Sequence, residues 1–160
     1  MKGKNHYDII VIGAGPAGEA AAMNGKKAGR HVAVVNDLKQ VGGNCTHWAT
    51  IPSKALRHTV NQVMQFNSNP VFRDVGEAKK LSFQEILKQA ERVVSAQVAM
   101  RTDFYDRNHI PVISGRGTFI DKHTLKLAGK RTRITADHFI IATGSRPYRP
   151  PGVDFEHPRM

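Results

Sequence analysis

Six residues near the amino terminus, Gly13-Ala14-Gly15-Pro16-Ala17-Gly18, constrain this chain more than anything else in it. They match the Gly-x-Gly-x-x-Gly fingerprint, and both flanks have the character that the fingerprint needs to be meaningful. Residues 7–12 before it are apolar and rich in branched side chains, the pattern of a strand covered on both faces. After it, Pro16 suits a helix start, and Ala17, Ala20, Ala21 and Ala22 are helix formers small enough to lie close against a sheet. Gly29 ends that helix, and residues 31–35 form a second short branched run. Strand, helix and strand within about forty residues make the parallel crossover unit.

Each glycine has a different physical task. Gly13 permits the tight turn out of the strand, Gly15 lets backbone approach a diphosphate that a side chain would push away, and Gly18 allows close packing of helix on strand. Ligand charge then meets the unpaired N–H groups around Pro16 and Ala17, at the positive end of the helix. Gly13, Gly15, Pro16, Ala17 and Gly18 are therefore the candidate diphosphate residues. A complete dinucleotide site also needs a ribose-binding acid about twenty residues further on, at the end of the second strand. Both Asn36 and Asp37 stand there: the first can accept through its amide but lacks charge, and the second has the charge but falls one residue later on the pleat. Either can equally be a turn residue.

The 160 residues, 40% of them hydrophobic, are enough to bury one ordinary core. An excess of 24 Lys and Arg over 13 Asp and Glu leaves a formal charge of +11, which suits any anionic partner. The basic residues are scattered without aromatic interleaving, so nucleic acid is not an expected partner. Cys45 is the single cysteine, which forbids an internal disulfide and suits a reducing cytoplasm. No run approaches membrane-spanning length and no cleavable apolar leader precedes the first strand, so a cytoplasmic protein without membrane contact is expected. Metal is not expected either, because the histidines lack ligand spacing and Cys45 with His47 would be two ligands short of a zinc site.

Further along, residues 41–50 read as a loop, and Pro52 with Ser53 opens a helix continuing through Ala55, Leu56, Val60, Val63 and Met64. Residues 67–70 break it. Ser82 caps a long amphipathic stretch through Phe83, Ile86, Leu87, Ala90, Val93, Val94 and Val98 toward Phe104, with Glu85 at capping-box spacing. Short strand-like runs follow at 112–113, 117–120, 124–127, 132–135 and 138–142, and the Pro-rich close from Arg146 reads as irregular. The expected fold class is α/β: a Rossmann-like domain with a parallel sheet flanked by helices and a small antiparallel β-meander.

The fingerprint alone leaves NAD, NADP and FAD open. The block Gly42-Gly43-Asn44-Cys45-Thr46-His47-Trp48-Ala49-Thr50-Ile51-Pro52-Ser53-Lys54-Ala55-Leu56 resembles the flavin-facing segment of the pyridine nucleotide-disulfide oxidoreductases, whose members carry a cysteine pair followed by Pro-Ser-Lys. Thr50 stands at the second cysteine position. A hydroxyl cannot exchange a disulfide, so the dithiol relay of that family is closed to this chain. The soluble pyridine nucleotide transhydrogenase branch shows the same loss. Residues 44–48 and 50–58, Phe104-Tyr105, Arg107-Asn108-His109 and residues 141–148 are similar to that branch, so the resemblance covers nearly the whole chain. The branch normally has a glutamate where Asn36 stands and a glycine where Ala49 stands.

The resemblance implies an FAD-binding domain over residues 1–150 that lacks its C-terminal segment, with 151–160 beginning a linker to an absent nicotinamide-binding domain. It implies FAD as cofactor, NAD and NADP as substrates of a longer homo-oligomeric parent, hydride transfer between NADPH and NAD, and a fragment expected to be inactive alone. Gly42, Gly43, Asn44, Cys45 and Thr46 would flank the cofactor, and Ala142, Thr143 and Gly144 would pass beside it. Gly117, within Gly115-Arg116-Gly117, would approach the adenine, although a hairpin turn explains those glycines equally well. Lys54 would lie near the reactive edge of the flavin, where positive charge favours its reduced form, and is the one candidate catalytic residue. Two other classes stay open: a thiol-dependent flavin reductase using Cys45 alone, and a non-enzymatic nucleotide-binding module with no affinity for FAD.

Overall fold

The computed structural model describes residues 5–73, 80–146 and 148–157. Pro147 and the last three residues of the Pro-rich close lie outside them; the described part of that close is irregular, as expected. The first branched run forms β1 (His6–Ile12), the alanine-rich stretch α1 (Pro16–Lys27), and the second branched run β2 (Val32–Asn36). Pro16 sits in the first turn of α1, where its missing N–H removes no helical bond. Gly29 lies just beyond the helix end with φ of +74°, a left-handed conformation that suits glycine.

The remaining elements are α2 (Gly43–His47), α3 (Thr50–Ser68), α4 (Pro70–Arg73), α5 (Phe83–Arg107), β3 (Val112–Ser114), β4 (Gly117–Asp121), β5 (Thr124–Leu127) and β6 (Arg133–Ile141). The strands form one mixed sheet in the order β3-β2-β1-β6-β5-β4. β1 pairs in parallel with β2 and with β6, and β2 in parallel with β3, while β4, β5 and β6 form an antiparallel meander. This is the expected class, a Rossmann-type sheet carrying a small meander.

Alternation along β1 and β2 builds two cores. Val11, Val32 and Val34 cluster with Ala14, Ala22 of α1 and Tyr105 of α5, whereas Ile10, Ala33 and Val35 cluster with Leu125, Leu127, Ile134 and Ala136 of the meander. Helices thus fill one side of the parallel strands and the meander fills the other. Every residue of β2 is buried, which is why that strand is continuously apolar until its last position. Behind the sheet, α3 and α5 pack as a pair. The capping box opening α5 is complete: the Glu85 N–H donates to Ser82 Oγ at 3.3 Å, and the Ser82 N–H donates to the Glu85 carboxylate at 2.8 Å.

Local differences from the sequence reading have identifiable causes. Residues 41–50 are not wholly loop, because Gly42, at φ of +109°, turns the chain directly into the short helix α2. A ring nitrogen of His47 contacts the Val41 carbonyl at 2.9 Å, holding that turn closed. The runs at 132–135 and 138–142 are one strand, since β6 pairs with β5 over its first part and with β1 along most of its length. The β1 ladder carries the strand through the polar pair Asp137 and His138.

Candidate functional site

Open α/β sheets bind ligands beyond the carboxyl ends of the strands, where the strand order diverges. That place here is the end of β1, with β2 on one side and β6 on the other. Long-range backbone hydrogen bonds gather the loops at this rim. The Gly13 N–H donates to the Val35 carbonyl at 2.7 Å, the Ala142 N–H to Ile12 at 2.8 Å, and the Gly42 N–H to Ala14 at 2.8 Å. The Asn44 amide donates to the Ser145 carbonyl, tying α2 to the loop after β6.

The glycines at this rim divide into two kinds. A Cβ on Gly13 would lie 2.3 Å from the Ala142 carbonyl oxygen, one on Gly18 1.8 Å from the Gly13 oxygen, and one on Gly43 2.8 Å from the Gly15 Cα. Packing demands glycine at all three. Gly15 differs: its Cβ would lie 3.8 Å from the Gly43 Cα, an ordinary contact. Packing therefore does not by itself demand glycine at Gly15, in a backbone-lined mouth before α1. Gly15 is also the N-cap of α1 and supplies no side-chain acceptor, so the first N–H groups of the helix remain available to an anion. Pro16 and Ala17 are exposed there.

Beside this mouth opens a cavity of about 390 Å³, lined by Ile12, Val35, Asp37, Gly115, Arg116, Gly117, Thr143, Gly144, Ser145 and Arg146. Of the residues expected from sequence, Asp37, Gly117, Thr143 and Gly144 lie in this lining. Gly117 is there for a packing reason too, since a Cβ on it would lie 2.1 Å from the Leu125 side chain. Ala142 is half-buried and packs on the core beside β1.

Asn36 is not in the lining. It is 5% exposed, and its amide is committed to backbone: Oδ1 accepts the Ala14 N–H at 3.2 Å, and Nδ2 donates to the Leu38 and Gln40 carbonyls at 2.9 and 3.0 Å. In α2, Asn44 is exposed, Cys45 is a half-buried free thiol, and Thr46 is fully buried beneath Gly42. Lys54 stands exposed in the first turns of α3, outside the cavity lining. Arg116, Ser145 and Arg146 line the cavity but were not singled out from sequence as site residues. A signal for them was present: Arg116 is held between Gly115 and Gly117, and Ser145-Arg146 directly continues Ala142-Thr143-Gly144.

Among the described residues, no group of three His, Cys, Asp or Glu side chains could hold a metal ion, and no helix is long and apolar enough to cross a membrane.

Strand order, glycine turn and rim cavity together define a Rossmann-type α/β domain. The chain belongs to the pyridine nucleotide-disulphide oxidoreductase family, whose model matches residues 7–159. Among curated relatives, the soluble pyridine nucleotide transhydrogenase of Pseudomonas putida is 58% identical over 158 residues, a match covering 97% of this chain and 34% of the relative. The transhydrogenase of the same name from Marinobacter nauticus is 54% identical over 160 residues, covering 98% of this chain and 34% of the relative. The chain therefore spans only a 34% share of the length of the curated relatives it matches. A similar solved structure is the HOCl-induced flavoprotein disulfide reductase RclA from Escherichia coli, with a TM-score of 0.74 and 26% identity over 91% of this chain and 30% of that one.

Proposed function

We propose that this chain holds FAD, as the flavin-binding part of a protein that transfers hydride between NADPH and NAD. The observation carrying the proposal is the mouth at Gly15, where packing enforces three surrounding glycines but not Gly15 itself, which stands beside unpaired helix N–H groups that a diphosphate can use. The donor set fits the cofactor: backbone N–H groups of Gly15, Ala17 and Gly18 for the diphosphate, Asp37 for a ribose, and the groove between Gly115–Gly117 and Thr143–Arg146 for the adenosine end. Bound flavin would supply reversible acceptance and donation of hydride, so the protein itself needs no nucleophile or general acid. Its residues position and tune, Lys54 by placing positive charge near the cofactor.

Two features favour transhydrogenation over disulfide reduction. Thr50 cannot exchange a disulfide with Cys45, and the relatives at 54% and 58% identity bear the transhydrogenase name. The proposal takes residues 1–150 as the flavin-holding unit and 151–160 as the start of a linker toward a nicotinamide-binding domain, in a cytoplasmic homo-oligomer with no nucleic-acid or membrane partner.

The test is flavin retention. The purified chain is expected to carry visible flavin absorbance or to quench added FAD fluorescence saturably. Saturable binding of ATP or NAD with no response to FAD would replace the proposal with a nucleotide-binding module. In a longer protein carrying this segment, loss of hydride exchange on Cys45→Ser would replace it with thiol-dependent reduction.

A further inference from the structure

We infer that Arg101 is a positioning residue for the diphosphate site, acting through Glu19: it reaches from α5 to cancel a carboxylate charge lying one turn inside the anion-facing end of α1. The inference rests on the flavin-binding proposal for the identity of the anion at that end.

Glu19 stands where an acid and an anionic ligand compete. Its N–H donates to the Gly15 carbonyl at 2.8 Å, so its backbone lies a single helical turn from the mouth. A carboxylate in the first turn draws on the same positive helix-end potential that a diphosphate uses, and an uncompensated Glu19 would oppose the ligand across a short distance. The charge is compensated. Arg101 Nη1 donates to Oε2 of Glu19 at 2.6 Å, and both side chains are largely buried, so solvent screens little of the pair.

Stability alone is a poor account of this arrangement. Helices α1 and α5 already share a buried apolar cluster through Ala22 and Tyr105, and a largely dry ion pair returns little beyond what apolar packing would give. The pair is also incompletely satisfied: Arg101 Nε and the Tyr105 hydroxyl are buried with no hydrogen-bond partner among the described residues. What the pair achieves is positional. Tyr105, one turn beyond Arg101 on α5, lies in the same buried cluster as Ala14 of the fingerprint turn and Val41 of the loop before α2. Helix α5 thus braces the turn through Tyr105 and neutralises the first turn of α1 through Arg101, leaving the helix-end N–H groups to the ligand.

The test measures FAD, ADP and adenosine binding to the wild-type chain and to Arg101→Met, Glu19→Gln and the double variant, below the melting temperature of each. Arg101→Met should weaken ADP by about tenfold, the order of one unit charge at roughly 10 Å in a partly dry site, and leave uncharged adenosine within about twofold of wild type. Glu19→Gln should tighten ADP, because the guanidinium then stands unopposed. The double variant, neutral again, should return ADP to within about twofold of wild type. Where adenosine binds too weakly to measure, rescue by the double variant decides; should Arg101→Met not fold, Glu19→Gln decides. Equal losses for ADP and adenosine, a double variant as weak as Arg101→Met, ADP affinity unchanged in Arg101→Met, or no tightening in Glu19→Gln overturns the inference. The expected ADP pattern without FAD binding defeats the flavin proposal and leaves this inference standing. FAD binding without that pattern does the reverse, and no binding of either ligand overturns both.

Discussion

Glu19, in the first turn of α1, and Arg101, on α5, form an ion pair of 2.6 Å with side chains only 16% and 14% exposed. This contact locks the helix whose amino end faces the candidate diphosphate site to the long helix behind it. Tyr105, one turn further along α5, is buried beside the pair. Burial first, and the negative charge of Glu19 second, push its phenol well above the usual tyrosine range, so it stays neutral at any physiological pH.

Breaking this pair is expected to cost more than deleting it. Arg101→Met leaves the Glu19 charge unpaired in a largely dry site, for a loss of about 2 kcal/mol, whereas Glu19→Gln with Arg101→Met recovers part of that loss. Urea unfolding of the wild type, both singles and the double checks the cycle; equal losses in Arg101→Met and the double variant would show that the charge is not the cause.

The glycines separate folding from binding. Gly18→Ala drives a Cβ into the Gly13 carbonyl, 1.8 Å away, and should destabilise the fold by about 2 kcal/mol. Gly15→Ala meets only the Gly43 Cα at 3.8 Å, so its melting temperature should stay near wild type while FAD affinity falls by about tenfold or more. Thermal unfolding beside fluorescence titration distinguishes the two effects.

Cys45→Ser is expected to leave FAD affinity and, in a longer protein carrying this segment, hydride exchange between NADPH and NAD at wild-type order. The reason is that Thr50 offers no thiol for exchange. Steady-state rates with both nicotinamides provide the check.

The start of α5 should loosen in acid. The backbone N–H of Ser82, followed by its hydroxyl, holds the Glu85 carboxyl below its ordinary value. A carboxyl depressed in the folded state contributes its full stabilisation above its ordinary pKa, and that contribution fades as pH falls through the folded one. Amide protection factors in the first turn of α5, taken against the intrinsic exchange rate at each pH, should therefore fall at acid pH. Glu85→Gln, which still accepts from Ser82, should remove the pH dependence.

Much of the fold was legible because its signals are local. The branched runs of β1 and β2, Pro16 and Gly29 at the two ends of α1, and the Ser82-to-Glu85 spacing all act within a turn or a pleat of themselves. Less legible were α2, which hangs on a left-handed Gly42 and on the contact of His47 with Val41, and the continuity of β6, which depends on partners on both sides. In the site, the glycine turn could be read from spacing, whereas the meeting of Arg116 and Arg146 could not, because only the curl of the meander and the loop after β6 brings them to one cavity.

By itself the sequence determined a strand-turn-helix unit that only glycine can close, a single thiol without an exchange partner, and a chain alternating into a meander. Tertiary structure alone decided that the meander, not a helix, fills the second side of β1 and β2, and that Asp37 faces the groove while Asn36 is turned inward. Spacing cannot separate two polar neighbours at a strand end, because their fates depend on which distant backbone groups lack a partner. Asn36 is held by an N–H at Ala14, 22 residues away in the chain, and that bond exists only once the strands have assembled.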